Sequence, residues 1–133
     1  MKAIADTGFV VAFANRADRH HAWALALARR IEAPALTCEA VLAEAAFHLR
    51  DAGVVVAMVD EGLLALSFSA ADHMAQLGAL AKRYRDRAPD LADLCLIRMS
   101  ELRPRHVVLT VDVDDFRVYR KNKRDVIPCV FPS

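Results

Sequence analysis

The sequence predicts an α/β protein built on a central parallel sheet, and three observations carry that expectation. Short apolar runs alternate along the chain with longer segments rich in helix formers. Strands that alternate with helices pair in parallel through right-handed crossovers. Two acidic residues, Asp6 and Asp112, stand at the C-terminal ends of such runs. That is the edge at which open α/β sheets bind ligands.

The elements follow in order. Residues 2–6 read as a short buried strand. Residues 8–15 (Gly8-Phe9-Val10-Val11-Ala12-Phe13-Ala14-Asn15) are apolar and too long for a tight turn, so a first helix is expected there. Residues 20–31 are rich in helix formers and predict a second. Pro34 ends it, Ala35-Leu36-Thr37 fits a second strand, and residues 38–51 form a third helix. Over 54–59 the valine run favours strand by propensity, whereas context favours a short helix. Leu63 to Phe68 fits a third strand. Ser69, with Asp72 three residues on, reads as the N-cap of a helix that runs to about Tyr84. Pro89-Asp90 opens a helix over 91–102, Val107 to Thr110 is a fourth strand, and Ile127 to Phe131 a fifth. No repeat or linker interrupts the chain, so residues 1–133 read as one domain.

Composition narrows the function classes. The chain has 133 residues, 56% of them hydrophobic, enough for a sizeable core. With 4 Gly and 5 Pro it is neither collagen-like nor of low complexity. The longest run without Asp, Glu, Lys or Arg is Gly62 to Ala71, far short of the roughly 20 apolar residues that span a membrane. The N-terminus lacks the apolar core of a signal peptide, so a cytoplasmic protein is expected. Cys38, Cys95 and Cys129 are widely spaced and odd in number, which fits small buried side chains rather than disulfides or zinc. Net charge is +1, yet Lys82, Arg83, Arg85 and Arg87 form one basic run, and Arg117, Arg120, Lys121, Lys123 and Arg124 another. Beside an acidic pocket such runs suit a polyanionic substrate; otherwise they are solvated helix ends and loops.

The chemistry rests on acids set beside core sequence. Asp6 ends the first strand, Glu44 and Asp93 lie inside apolar helical segments, and Asp112 follows the fourth strand. A buried carboxylate is costly unless it is paired or binds metal. Four of them predict one shared acidic pocket, and oxygen-only ligands suit Mg²⁺ or Mn²⁺. Each acid has a plainer reading. Asp90 as N-cap and Asp93 as N3 residue would both favour a helix start. Glu44 borders the apolar stripe of its helix rather than entering it, and Glu39 is its rival on the same helix. Asp112, Asp114 and Asp115 crowd together and repel unless water or a cation relieves them. Asp112 is the first choice and Asp115 the reserve, beside an inward-packing Phe116. Asp6-Thr7-Gly8 also resembles the aspartic protease signature, but only one copy is present and it precedes a helix. His20, His21 and His48 read as surface or core-edge side chains. Phe9, Phe13, Trp23 and Phe47 read as core or partner contacts, and the apolar side chains of the first two helices exceed what one sheet face covers.

With these residues assembled, the chain resembles the PIN domain and, within it, the VapC-like ribonuclease toxins. Ile4-Ala5-Asp6-Thr7-Gly8, Val41-Leu42-Ala43-Glu44, Tyr84 with Asp90-Leu91-Ala92-Asp93, and Val108-Leu109-Thr110-Val111-Asp112 followed by Asp115-Phe116 carry the likeness in order. The resemblance implies a three-layer α/β/α sandwich around a parallel sheet. It implies a Mg²⁺- or Mn²⁺-dependent endoribonuclease, the toxin of a toxin–antitoxin pair. It implies Asp6, Glu44, Asp93 and Asp112 as catalytic acids, the metal on Asp6, Asp93 and Asp112, and support from Asp115, Asp90, Thr110 and Thr7. An RNA substrate, a VapB-like antitoxin and a homodimer are the partners it implies. Asp114 departs from the basic or neutral residues usual between the last two acids. A non-catalytic PIN-like binding module, or a metal-dependent nuclease or phosphatase without an antitoxin, is the alternative.

Overall fold

A computed structural model describes residues 1–133. The chain runs β1 (Ala3–Ala5), α1 (Thr7–Ala14), α2 (His21–Ala28), β2 (Ala35–Thr37), α3 (Glu39–Leu49), α4 (Ala52–Asp60) and β3 (Leu64–Leu66). It continues through α5 (Met74–Arg83), α6 (Leu91–Leu102), β4 (Val107–Leu109), α7 (Val113–Val118), the two-residue strands β5 (Arg120–Lys121) and β6 (Asp125–Val126), and β7 (Cys129–Val130). The five strands of the main sheet lie in the order β3-β2-β1-β4-β7 and are all parallel. Helices flank this sheet in the expected α/β/α arrangement.

The strand order locates the functional edge. From β1 the chain steps outward to β2 and β3, then crosses back to β4 and continues to β7 on the other side. Right-handed crossovers place the helices of these two directions on opposite faces. The direction reverses between β1 and β4, which pair with Ala5 opposite Leu109. A crevice opens beyond their C-terminal ends, where parallel sheets bind ligands.

The core explains the strands and the long helix. Ile4, Phe9, Leu96, Ile97, Leu109 and Phe116 are all fully buried. Helix α6 buries eight of its 12 residues, six of them apolar, and Asp93, the one charged residue among the eight, stands out. Residues 54–59 are helical: Asp51 caps α4 by accepting from the Val54 N–H at 3.2 Å, and Val55 and Met58 share its buried side.

Several expectations change. Ser69 makes no side-chain cap; residues Ala70–His73 form a 3₁₀ turn and α5 begins at Met74. The second helix is shorter than 20–31, and neither α7 nor the β5–β6 hairpin was expected. The apolar excess of the first two helices is largely covered, because α1 packs against both α2 and α3. Phe9, Val10 and Leu27 are buried, and Phe9 meets the Trp23 ring edge-on at 5.9 Å. The most exposed large apolar side chains are instead Phe47 at 78%, Val126 at 65% and Val56 at 63%. No helix is long and apolar enough to cross a membrane.

Candidate functional site

The site begins where the β1–β4 ladder runs one step beyond its strands. The Asp6 N–H donates to the Leu109 carbonyl at 3.0 Å, which brings Asp6 beside Thr110. The Thr110 hydroxyl donates to Asp6 Oδ2 at 2.6 Å and accepts from the Asp112 N–H at 3.0 Å. Asp6 Oδ1 accepts from the Thr7 N–H at 2.7 Å as α1 begins. Thus one buried hydroxyl joins the acids of two strands.

Each remaining acid is placed by a helix start or a helix face. Asp112 caps α7, its Oδ1 accepting from the Asp115 N–H at 3.1 Å. Asp90 caps α6, accepting from the Asp93 N–H at 2.8 Å, so the capping reading of this pair is correct. Asp93 is nevertheless buried, and capping does not explain that. Its Oδ2 accepts from the Tyr119 hydroxyl at 2.8 Å. The Tyr119 ring is fully buried and meets Tyr84 and Phe116 edge-on. Glu44, half-buried on α3, faces the same pocket, whereas Glu39 lines a separate apolar groove with Cys38, Cys95 and Leu91.

Asp6, Thr7, Glu44, Asp90, Asp93 and Asp112 line one pocket of about 330 Å³. Its electrostatics are those of too many carboxylates in too little water. Burial pushes Asp6 up to about 6, against the opposing hydrogen bonds from Thr110 and Thr7. Burial, then Asp90 and Asp6, push Glu44 up to about 7. Burial also raises Asp93 to about 7, opposed by the Tyr119 hydroxyl and reinforced by Asp90, Asp6 and Asp112. Asp112 is raised for the same first reason.

The donor set fits a hard divalent cation. Asp93, Asp112 and Asp115 each offer an oxygen within 4.8 Å of the others. Asp6 lies outside this tightest trio, and both of its oxygens already accept hydrogen bonds. The Thr7 hydroxyl, on the pocket wall, is buried without a hydrogen-bond partner. A water, including one bound to an ion, would satisfy such a hydroxyl. Asp115 also pairs with Arg87, Nη2 to Oδ1 at 2.9 Å, while Asp114 is exposed. The crowding of these three acids is therefore relieved by water on Asp114 and by Arg87 on Asp115.

Tyr119, Arg87, His48 and His20 in this region were not assigned to it from the sequence. Tyr119 and Arg87 reach their acids across 26 and 28 positions, a separation that leaves no local signal. His48 lines the pocket together with His20, and it follows Glu44 by one helical turn, a spacing that was visible.

The PIN domain family matches residues 3–122. The chain belongs to that family, whose members are generally nucleases that use divalent metals. No curated protein matches it.

Proposed function

We propose that this protein is a Mg²⁺- or Mn²⁺-dependent endoribonuclease and the toxin of a toxin–antitoxin pair. The observation that carries the reading is the convergence of Asp6, Glu44, Asp93 and Asp112, from four separate elements, on one pocket at the strand reversal. Asp93 and Asp112 would hold the metal with Asp6, and Asp115 stands beside them. When bound, the ion lowers the pKa of a water and offsets charge that builds on phosphorus.

The chain's own groups do the rest. Tyr119 fixes Asp93 Oδ2 and leaves Oδ1 without a protein donor. Thr110 holds Asp6 and the Asp112 backbone in one register. Glu44 lies outside the tightest trio and, unlike Asp6, is not held by Thr7 and Thr110, so it is the carboxylate available to take a proton from the attacking water. A basic side chain of a VapB-like antitoxin would satisfy the same carboxylates and compete with metal. The apolar groove lined by Leu66, Phe68 and Leu91 supports a further protein contact, including a second copy of the chain.

The test is cleavage of a structured RNA by the purified protein in Mg²⁺ or Mn²⁺. EDTA should stop the reaction. Asp6→Asn and Glu44→Gln should each abolish it while far-UV circular dichroism stays unchanged. Equal cleavage by Asp6→Asn and wild type would refute the mechanism.

A further inference from the structure

Two basic segments distant in sequence lie side by side. Arg83 Nη2 donates to the Lys123 carbonyl at 2.6 Å. The Arg120 N–H donates to the Tyr84 hydroxyl at 2.9 Å. Arg87 Nη2 pairs with Asp115 Oδ1 at 2.9 Å. As the first segment ascends from 83 to 87 its partners descend from 123 to 115, so the two run antiparallel. One end of the pair lies at Asp115, whose carboxylate is within 4.8 Å of those of Asp93 and Asp112. The other end is the turn that carries Lys123.

Charge is segregated onto this feature. Residues 82–87 and 117–124 hold nine Lys and Arg against one acid, Asp86. The rest of the chain sets nine Lys and Arg against sixteen Asp and Glu. Of the nine, only Arg87 forms a side-chain ion pair. Arg83, Arg120 and Lys123 line a cavity of about 270 Å³ together with Glu101 and the α5 residues Gln76, Ala79 and Leu80. The turn is held in place: Glu101 Oε2 accepts from the Asn122 N–H at 2.7 Å, and Lys121 Nζ donates to the Pro104 carbonyl at 3.1 Å. Arg120 Nη1 is occupied by the carbonyls of Arg117, Val118 and Tyr119, so it braces the turn. Lys82, Arg85, Lys123 and Arg124 are exposed, and their side chains make no hydrogen bond or ion pair.

We propose that this antiparallel basic track binds the sugar–phosphate backbone of a single-stranded RNA segment flanking the cleaved bond. It is a subsite outside the acidic pocket, and the proposal rests on the nuclease reading above. A polyanion cut in the pocket must continue away from it, and the track leads outward from Asp115. The aromatic rings within the two segments, Tyr84 and Tyr119, are buried, and the half-buried Phe131 ring beside them is faced by the Arg117 guanidinium, so the track meets phosphates rather than stacking bases. Such contacts position a strand without reading its sequence.

The test uses the Asp6→Asn full chain, which should bind without cutting, and a fluorescein-labelled single-stranded RNA 20-mer read by anisotropy across a KCl series. Lys82→Gln, Arg85→Gln, Lys123→Gln and Arg124→Gln are combined in it. Each lost phosphate contact should flatten the plot of log affinity against log salt by about 0.7, so the combination of four flattens it by about 2.8 and weakens binding at least about tenfold. Arg29→Gln with Arg30→Gln, outside the track, should change neither. In the active background the four-fold variant should raise KM for the 20-mer and leave kcat unchanged. An unchanged slope, an equal loss in the Arg29/Arg30 control, or equally tight and salt-sensitive binding of a poly-glutamate peptide would overturn the proposal. A wild type that cuts nothing while the slope still flattens would remove the nuclease reading and leave the track as an RNA-binding surface.

Discussion

The Thr110 hydroxyl, with one proton and two lone pairs, bonds Asp6 on one side and the Asp112 backbone on the other. Tyr119 performs the matching task for Asp93 from within the core. Each hydroxyl satisfies one carboxylate oxygen; at Asp93 this leaves Oδ1 for a ligand, whereas at Asp6 the Thr7 N–H already holds Oδ1. Tyr119→Phe deletes a single atom from a fully buried ring and leaves Asp93 Oδ2 without its donor. Stability measured by urea melts should drop by about 1–2 kcal/mol, the cost of an unsatisfied buried acceptor. Mn²⁺ affinity by titration calorimetry should weaken about tenfold, as for other residues that orient metal ligands. A variant that binds Mn²⁺ as wild type does would mean that packing alone orients Asp93. The sequence could not disclose this pair. Asp93 was legible, since an acid amid Leu94, Leu96 and Ile97 has to be explained, but its partner is joined to it only by the fold.

At the scale of elements, legibility followed length and apolar content. The strands of the main sheet and the longer helices were read from apolar runs, and burial confirms the runs as core. Helix α7 has six residues, too few for propensity to register, and begins in an acidic cluster that resembles a solvated loop. Strands β5 and β6 have two residues each and carry no pattern. The glycine of Asp6-Thr7-Gly8 acquires its reason only in three dimensions. It lies in α1, where a Cβ would run into the Val111 side chain, immediately before Asp112. Alanine is the better helix former by roughly 1 kcal/mol, so propensity alone predicts that Gly8→Ala stabilises. Overpacking costs about 1–3 kcal/mol and wins here. Gly8→Ala should therefore lower stability in urea and, by displacing Val111, reduce cleavage. If it stabilises the protein, Val111 has room to move and the close approach is not a constraint.

For the molecule as a whole, an acidic crevice and a basic flank coexist under a net charge of only +1. The crevice makes stability depend on pH in a direction opposite to that of ordinary salt-bridged acids. Folding raises Asp6 to about 6 and Glu44 and Asp93 to about 7, with burial the first cause in each. The folded protein thus binds more protons than the unfolded chain between about pH 4 and pH 7. The contribution of these groups to stability is complete below their unfolded values and is lost as pH rises through the folded ones. Without metal, the melting temperature should fall from about pH 5 to about pH 7.5. A cation bound only by the native state replaces the missing protons, adding about 2.7 kcal/mol at a hundredfold excess over its Kd. Mn²⁺ should therefore raise the melting temperature more at pH 7.5 than at pH 5, because at pH 5 it must displace protons from the same carboxylates. Differential scanning calorimetry with EDTA and with excess Mn²⁺ at both pH values measures all four points. A metal-free melting temperature that climbs over this range would mean that the carboxylates are held apart or paired, and that the pocket has no unmet charge for a metal to neutralise.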